Sequence, residues 1–119
     1  MSRYVCIVLM LLALPATAEV SAPVKDETQF RSLVSGRELR LGMFGVSLII
    51  GNDGTISGNA MGSPVTGAWS WRDGYFCRDM HWSGTDLDYN CQLVEVIEGP
   101  GLRFTADKGA GRAASFDLR

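Results

Sequence analysis

This 119-residue chain has one His, four Pro and three Cys, and no CxxC pair. A single His and scattered thiols leave too few soft ligands for a tetrahedral zinc site. Charge of one sign is also missing. Eleven Lys and Arg stand against 13 Asp and Glu, a formal net of -2, so no basic surface points to nucleic acid. No apolar run approaches the roughly 20 residues that span a bilayer. The longest, Tyr4 to Leu14, has 11 residues. Disorder is excluded as well, because 46% of the residues are hydrophobic and the net charge is small. The length allows one domain.

The first 18 residues, MSRYVCIVLMLLALPATA, have the layout of a secretory signal peptide. Arg3 supplies the positive start, the apolar run follows, Pro15 breaks it, and Ala16-Thr17-Ala18 forms a small-x-small cleavage site. Cleavage after Ala18 is expected, placing the protein in the periplasm or outside the cell. The mature chain then has 101 residues with 10 basic and 13 acidic groups, a net of -3. It also loses Cys6. The remaining pair, Cys77 and Cys91, is expected to form a disulfide, the usual state of two cysteines in an exported chain. No integral membrane segment is expected after cleavage.

Residues 19–27 read as a flexible lead-in, and 28–119 as a single β domain. Thr28 is the expected cap of a short helix over Gln29–Ser35, stopped by Gly36. Beyond it the helical period vanishes. Short segments follow, punctuated by most of the 14 glycines: 37–41, 46–50, 55–60, 65–71, 75–82, 87–96, 102–106 and 113–118. Asn52-Asp53-Gly54 and Arg72-Asp73-Gly74 are tight-turn strings. The pattern predicts an all-β fold, a small antiparallel meander of about eight strands closed as a barrel or sandwich. The glycines fit turns and bulges. Neither G-x-G-x-x-G nor G-x-x-x-x-G-K-[ST] occurs, so no nucleotide cofactor is expected, nor any other.

If Cys77 faces Cys91 across a hairpin, the same register sets Asp79 against Tyr89 and His81 against Leu87, with Ser83-Gly84-Thr85 as a three-residue loop. One face then carries Tyr75, Asp79, His81, Leu87 and Tyr89 with the cysteines. The other carries Phe76, Arg78, Met80 and Trp82. A bulge would shift this register, and which face lies inside is left open.

Trp69 and Trp71 share one side of a strand and suit either a core or the wall of a ligand pocket, with core the favoured reading. Arg78, Asp79, His81, Asp86 and Asp88 form the densest polar cluster. As catalysis, it would make His81 a general base oriented by Asp79, but no nucleophile motif surrounds Ser70 or Ser83. As a metal site, it has too few ligands. As structure, it is a solvated hairpin with cross-strand charge pairs.

The strip from Gly67-Ala68-Trp69 through Gly74-Tyr75-Phe76-Cys77-Arg78 to Asn90-Cys91-Gln92, with Leu102-Arg103-Phe104-Thr105 and the GAGRAASFDLR tail, resembles a group of small exported bacterial proteins of unassigned function. The resemblance implies a signal peptide followed by a β domain with one disulfide. Similar sequences sometimes carry the label dihydrodipicolinate reductase. That enzyme is a two-domain cytoplasmic reductase with a nucleotide fingerprint and a His-His motif, and this chain has neither. The expectation is therefore a non-enzymatic protein that acts by binding. In one version a small apolar or envelope-derived ligand enters the barrel mouth near Trp69, Trp71 and Tyr89, with Arg78, Asp79 and His81 as further candidate contacts. In the other, loops dock an envelope protein, as a protease or lysozyme inhibitor does. Ligand, partner and oligomeric state are not written in the sequence.

Overall fold

The computed structural model describes residues 21–119. The expected signal peptide, its cleavage site and Cys6 lie outside the described residues. The described chain forms strands β1 (Ser21–Pro23), β2 (Leu39–Leu41), β3 (Val46–Ile50), β4 (Thr55–Ala60) and β5 (Ser63–Arg72). It continues with β6 (Tyr75–Trp82), β7 (Thr85–Asp86), β8 (Asn90–Ile97), β9 (Gly101–Thr105) and β10 (Ala113–Leu118), and one helix, α1 (Glu27–Val34), follows β1.

All pairings are antiparallel, and β8 also pairs with β6, so the sheet closes on itself. The result is an eight-stranded barrel of β2, β3, β4, β5, β6, β8, β9 and β10, with β1 and β7 as additions. An interior of this size either fills with side chains or holds one small ligand.

The alternation along each strand decides what faces inward. In β3, Leu48 and Ile50 are buried while Ile49 between them is half exposed. In β6, Phe76 is buried, and Arg78, Met80 and Trp82 follow it on the inner face. The core runs through Leu39, Leu48, Ile56, Val65, Leu102 and Leu118, among others.

Helix α1 packs across one end. Its cap is Asp26, whose carboxylate accepts from the Gln29 amide at 2.8 Å, two residues before the expected Thr28. Aspartate caps well and its charge suits the helix dipole, so the helix starts earlier. Phe30 enters the barrel with no exposed surface. Its ring lies 5.3 Å from Trp69, 5.2 Å from Trp71, 5.2 Å from Phe76 and 6.3 Å from Phe104. Arg31 Nη1 donates to the Asn52 carbonyl at 2.7 Å, tying the helix to the β3–β4 turn.

Part of the stretch expected to be a flexible lead-in sits on the barrel. Ser21–Pro23 pairs with Ile97–Glu95, and Val24, 3% exposed, donates its amide to the Val94 carbonyl. The free edge of β8 beyond its short contact with β6 accepts this strand. Polar composition alone hides such an edge pairing.

The cysteine hairpin keeps the expected register only near the bridge: Phe76 faces Gln92, Cys77 faces Cys91, and Arg78 faces Asn90. Farther along, His81 faces Asp86 and Trp82 faces Thr85. Leu87, Asp88 and Tyr89 thus stand opposite only Asp79 and Met80, one extra residue, which makes a bulge. Asp88 there takes φ +57°, and its amide donates to its neighbour Asp86 at 3.0 Å. The expected three-residue loop becomes the two-residue turn Ser83-Gly84, both with positive φ, the turn that matches strand twist. The expected pairings of Asp79 with Tyr89 and His81 with Leu87 are therefore replaced.

Closure also needs strands that approach closely. A Cβ on Gly67 would run into the Asp79 carbonyl of β6, so the inner position between Val65 and Trp69 admits only glycine without a shift.

Candidate functional site

Chain direction alternates around the barrel, so the turns divide between two ends. Turns 51–54, 73–74 and 98–100 lie at the helix end. Residues 42–45, 61–62, 83–89 and 106–112 gather at the other. Helix α1 with Phe30 closes the first end, and nothing comparable crosses the second among the described residues. Inside the barrel lies a cavity of about 410 Å³. Leu39, Leu48, Ile50, Phe76 and Phe104 line it toward the helix, and Met61, Leu87 and Arg112 line it at the mouth. Eight strands leave this space because several inner positions are small: Ala60, Ala106 and Ala114 all border it.

Two polar side chains enter this apolar wall from inner strand positions, Arg78 on β6 and Gln92 on β8. Arg78 Nη1 donates to the carbonyls of Leu87 and Asp88, at 3.4 Å for Leu87. The bulge supplies both acceptors, since it turns those carbonyls toward β6. Arg78 Nε is sealed from water and has no hydrogen-bond partner. Burial lowers the Arg78 pKa from its ordinary value, and the negative charges of Asp79, Asp86 and Asp88 oppose that shift.

The other residues singled out from the sequence lie elsewhere. Trp69 and Trp71 pack around Phe30 at the closed end, and Trp69 Nε1 donates to the Gly51 carbonyl at 2.9 Å. Neither is among the residues that line the cavity. Asp79 lies on the outer face of β6. His81 Nδ1 stands 3.9 Å from Asp86 Oδ1, with both side chains open to water. Asp86, rather than Asp79, is thus its nearest acid. Tyr89 is exposed, with its hydroxyl 3.5 Å from Cys91 Sγ. Among the described residues, no three His, Cys, Asp or Glu side chains gather as a metal-ligating group. Of the polar cluster read from the sequence, only Arg78 faces the cavity.

The disulfide Cys77–Cys91 lies at the seam where β6 and β8 close the barrel over three residue pairs. It lies on the face turned away from the cavity, with Cys77 itself buried, and Phe76, Arg78, Met80 and Trp82 are the inner set. Next to it, Asn90 and Asp107 exchange two hydrogen bonds, of 2.8 and 3.1 Å, and anchor the β9–β10 loop at the mouth.

Sequence reasoning missed Met80, Trp82, Leu87 and Gln92 as cavity residues. The alternation of β6 marked the first two as one face without saying which way it pointed. The bulge moved Leu87 from the cysteine face to the cavity. No helix among the described residues is long and apolar enough to cross a membrane. Comparison with protein-family models, with curated proteins and with solved structures finds no match to this chain.

Proposed function

We propose that this protein is an exported binding protein that takes up a small apolar molecule inside its barrel. The observation that carries this reading is the apolar cavity of about 410 Å³, bounded toward the helix by Phe76 and Phe104, against which Phe30 packs, and open at the other end. Ligand sites commonly occupy a few hundred Å³ and combine an apolar wall with few polar groups. The disulfide fits a compartment outside the reducing cytosol, which supports the periplasmic or secreted placement read from the first 18 residues.

The test is a fluorescence titration with the uncharged dye N-phenylnaphthylamine, which brightens on leaving water. Wild-type protein binds it saturably. Ala114→Trp fills the cavity from β10 and weakens binding about tenfold or more while circular dichroism stays unchanged. Absence of saturable dye binding by the folded wild-type protein overturns the proposal.

One observation favours a second reading, docking of an envelope protein as an inhibitor. Met43, Phe44 and Met61 are 88%, 54% and 62% exposed at the mouth end. Exposed apolar groups gathered in one place mark contact surfaces. Under that reading the mature protein slows a lysozyme or protease in a turnover assay, and Phe44→Ser with Met61→Ser relieves the inhibition.

A further inference from the structure

Arg78 is the one charged side chain on the inner face of β6, and its hydrogen bonds are all on one side of the guanidinium. Both contacts with the protein, to the Leu87 and Asp88 carbonyls, are made by Nη1. Neither Nε nor Nη2 donates to any protein group, and Nε is closed off from water. Nε and Nη2 form the edge of a guanidinium that binds a carboxylate side-on, with two parallel N–H···O bonds. No carboxylate of the described residues lies within ion-pair distance of Arg78; Asp79, Asp86 and Asp88 act on it only from farther away. Arg78 is partly buried, and its sealed, unpaired Nε is a donor left without compensation, which costs free energy unless something pairs with it.

Resting on the apolar-ligand reading above, we infer that the ligand is a monoanionic amphiphile of the carboxylic acid class, its alkyl part in the barrel and its carboxylate on the Nε–Nη2 edge of Arg78. The cavity suits the two parts. Leu39, Leu48, Val65 and Phe116 offer only apolar contact for a chain. Gln92 is the other polar side chain entering from the closure strands, and it supplies an amide donor for a second oxygen. Nη2, unpartnered and accessible, meets the first carboxylate oxygen; pairing the second with the sealed Nε needs the guanidinium to turn and exchange its Nη1 bonds to the Leu87 and Asp88 carbonyls for those to the ligand.

The experiment compares dodecanoate, dodecanol and dodecyltrimethylammonium, each below its micelle-forming concentration, by displacement of N-phenylnaphthylamine. In wild-type protein dodecanoate binds about tenfold or more tighter than dodecanol, and the cation binds weakest, the discrimination expected of a charge-assisted pair. Arg78→Met brings dodecanoate and dodecanol within about threefold of each other while dodecanol keeps its affinity. Arg78→Lys retains the charge but cannot form the fork, and lies between the two; it also serves if Arg78→Met fails to fold. Equal binding of dodecanoate and dodecanol by the wild type overturns the carboxylate inference and leaves the apolar-ligand reading standing. So does a preference that survives in both variants. Failure of every amphiphile to displace a bound dye overturns the inference alone, whereas failure of the dye itself to bind overturns both.

Discussion

Phe30→Ala tests whether the single helix really stops the barrel. The side chain is fully buried and meets four aromatic rings with centroids between 5.2 and 6.3 Å away. Truncating a buried Phe to Ala costs about 3–5 kcal/mol, from lost transfer energy and the void left behind. The value here belongs in the upper half of that range. The rings around Phe30 are held by strands whose ladders fix them, so the hole has little means of collapsing. Edge-to-face and stacked geometry adds to plain burial. Taking about 4 kcal/mol, and about 4–8 °C per kcal/mol for a domain of this size, the melting temperature falls on the order of 20 °C. The measurement is thermal and urea unfolding followed by far-UV circular dichroism, with near-UV signal from Trp69 and Trp71 as a local reporter. The urea slope should stay the same while the midpoint moves. Leu33→Ala, a half-buried neighbour on the same helix, is the control and costs about 1 kcal/mol. A loss below about 1.5 kcal/mol for Phe30→Ala, or one equal to that of Leu33→Ala, would refute the plug.

Three further outcomes follow from the same geometry. Removing the bridge with Cys77→Ser and Cys91→Ser frees a loop of separation 14 at the seam; about 3 kcal/mol is lost, read as a lower urea midpoint, and an unchanged midpoint would show that the β6–β8 ladder closes the barrel unaided. Gly67→Ala puts a methyl group against the Asp79 carbonyl and destabilises by about 1–3 kcal/mol, whereas the exposed Ala68→Ser next to it changes stability by less than about 0.5 kcal/mol; similar losses at the two sites would contradict the close approach. The Asp53 carboxyl is held below its ordinary value first by the Thr55 hydroxyl and then by the Thr55 amide. Its folded pKa is depressed, so its contribution to stability is present above the unfolded pKa and disappears as pH falls through the folded value. A carboxyl NMR titration should show the low midpoint, and Thr55→Val should raise it; a midpoint that ignores Thr55→Val sinks the assignment.

Much of the fold was legible along the chain because its signals are local. The limits Val46–Ile50, Thr55–Ala60, Tyr75–Trp82 and Ala113–Leu118 follow from alternation and from flanking Asn, Asp and Gly, which act over two or three residues. The pair Cys77–Cys91 was fixed by counting alone. Residues 21–24 escaped because β1 exists only through its partner β8. Trp69 and Trp71 were readable as core. That they sit at the closed end depends on α1, whose docking the strand pattern does not encode.

The candidate site divides in the same way. The sequence by itself determined an all-β domain of about eight strands, a disulfide, and a β6 segment with neither face purely apolar. Only the tertiary structure decided that Arg78 points inward, that Leu87 joins it, and that the mouth lies opposite the tryptophans. The physical reason is the bulge at Leu87-Asp88-Tyr89. A single extra residue flips the side-chain alternation of everything beyond it. Whether a chain accommodates such a residue is settled by closure of β6 on β8, a contact between strands that no local pattern contains.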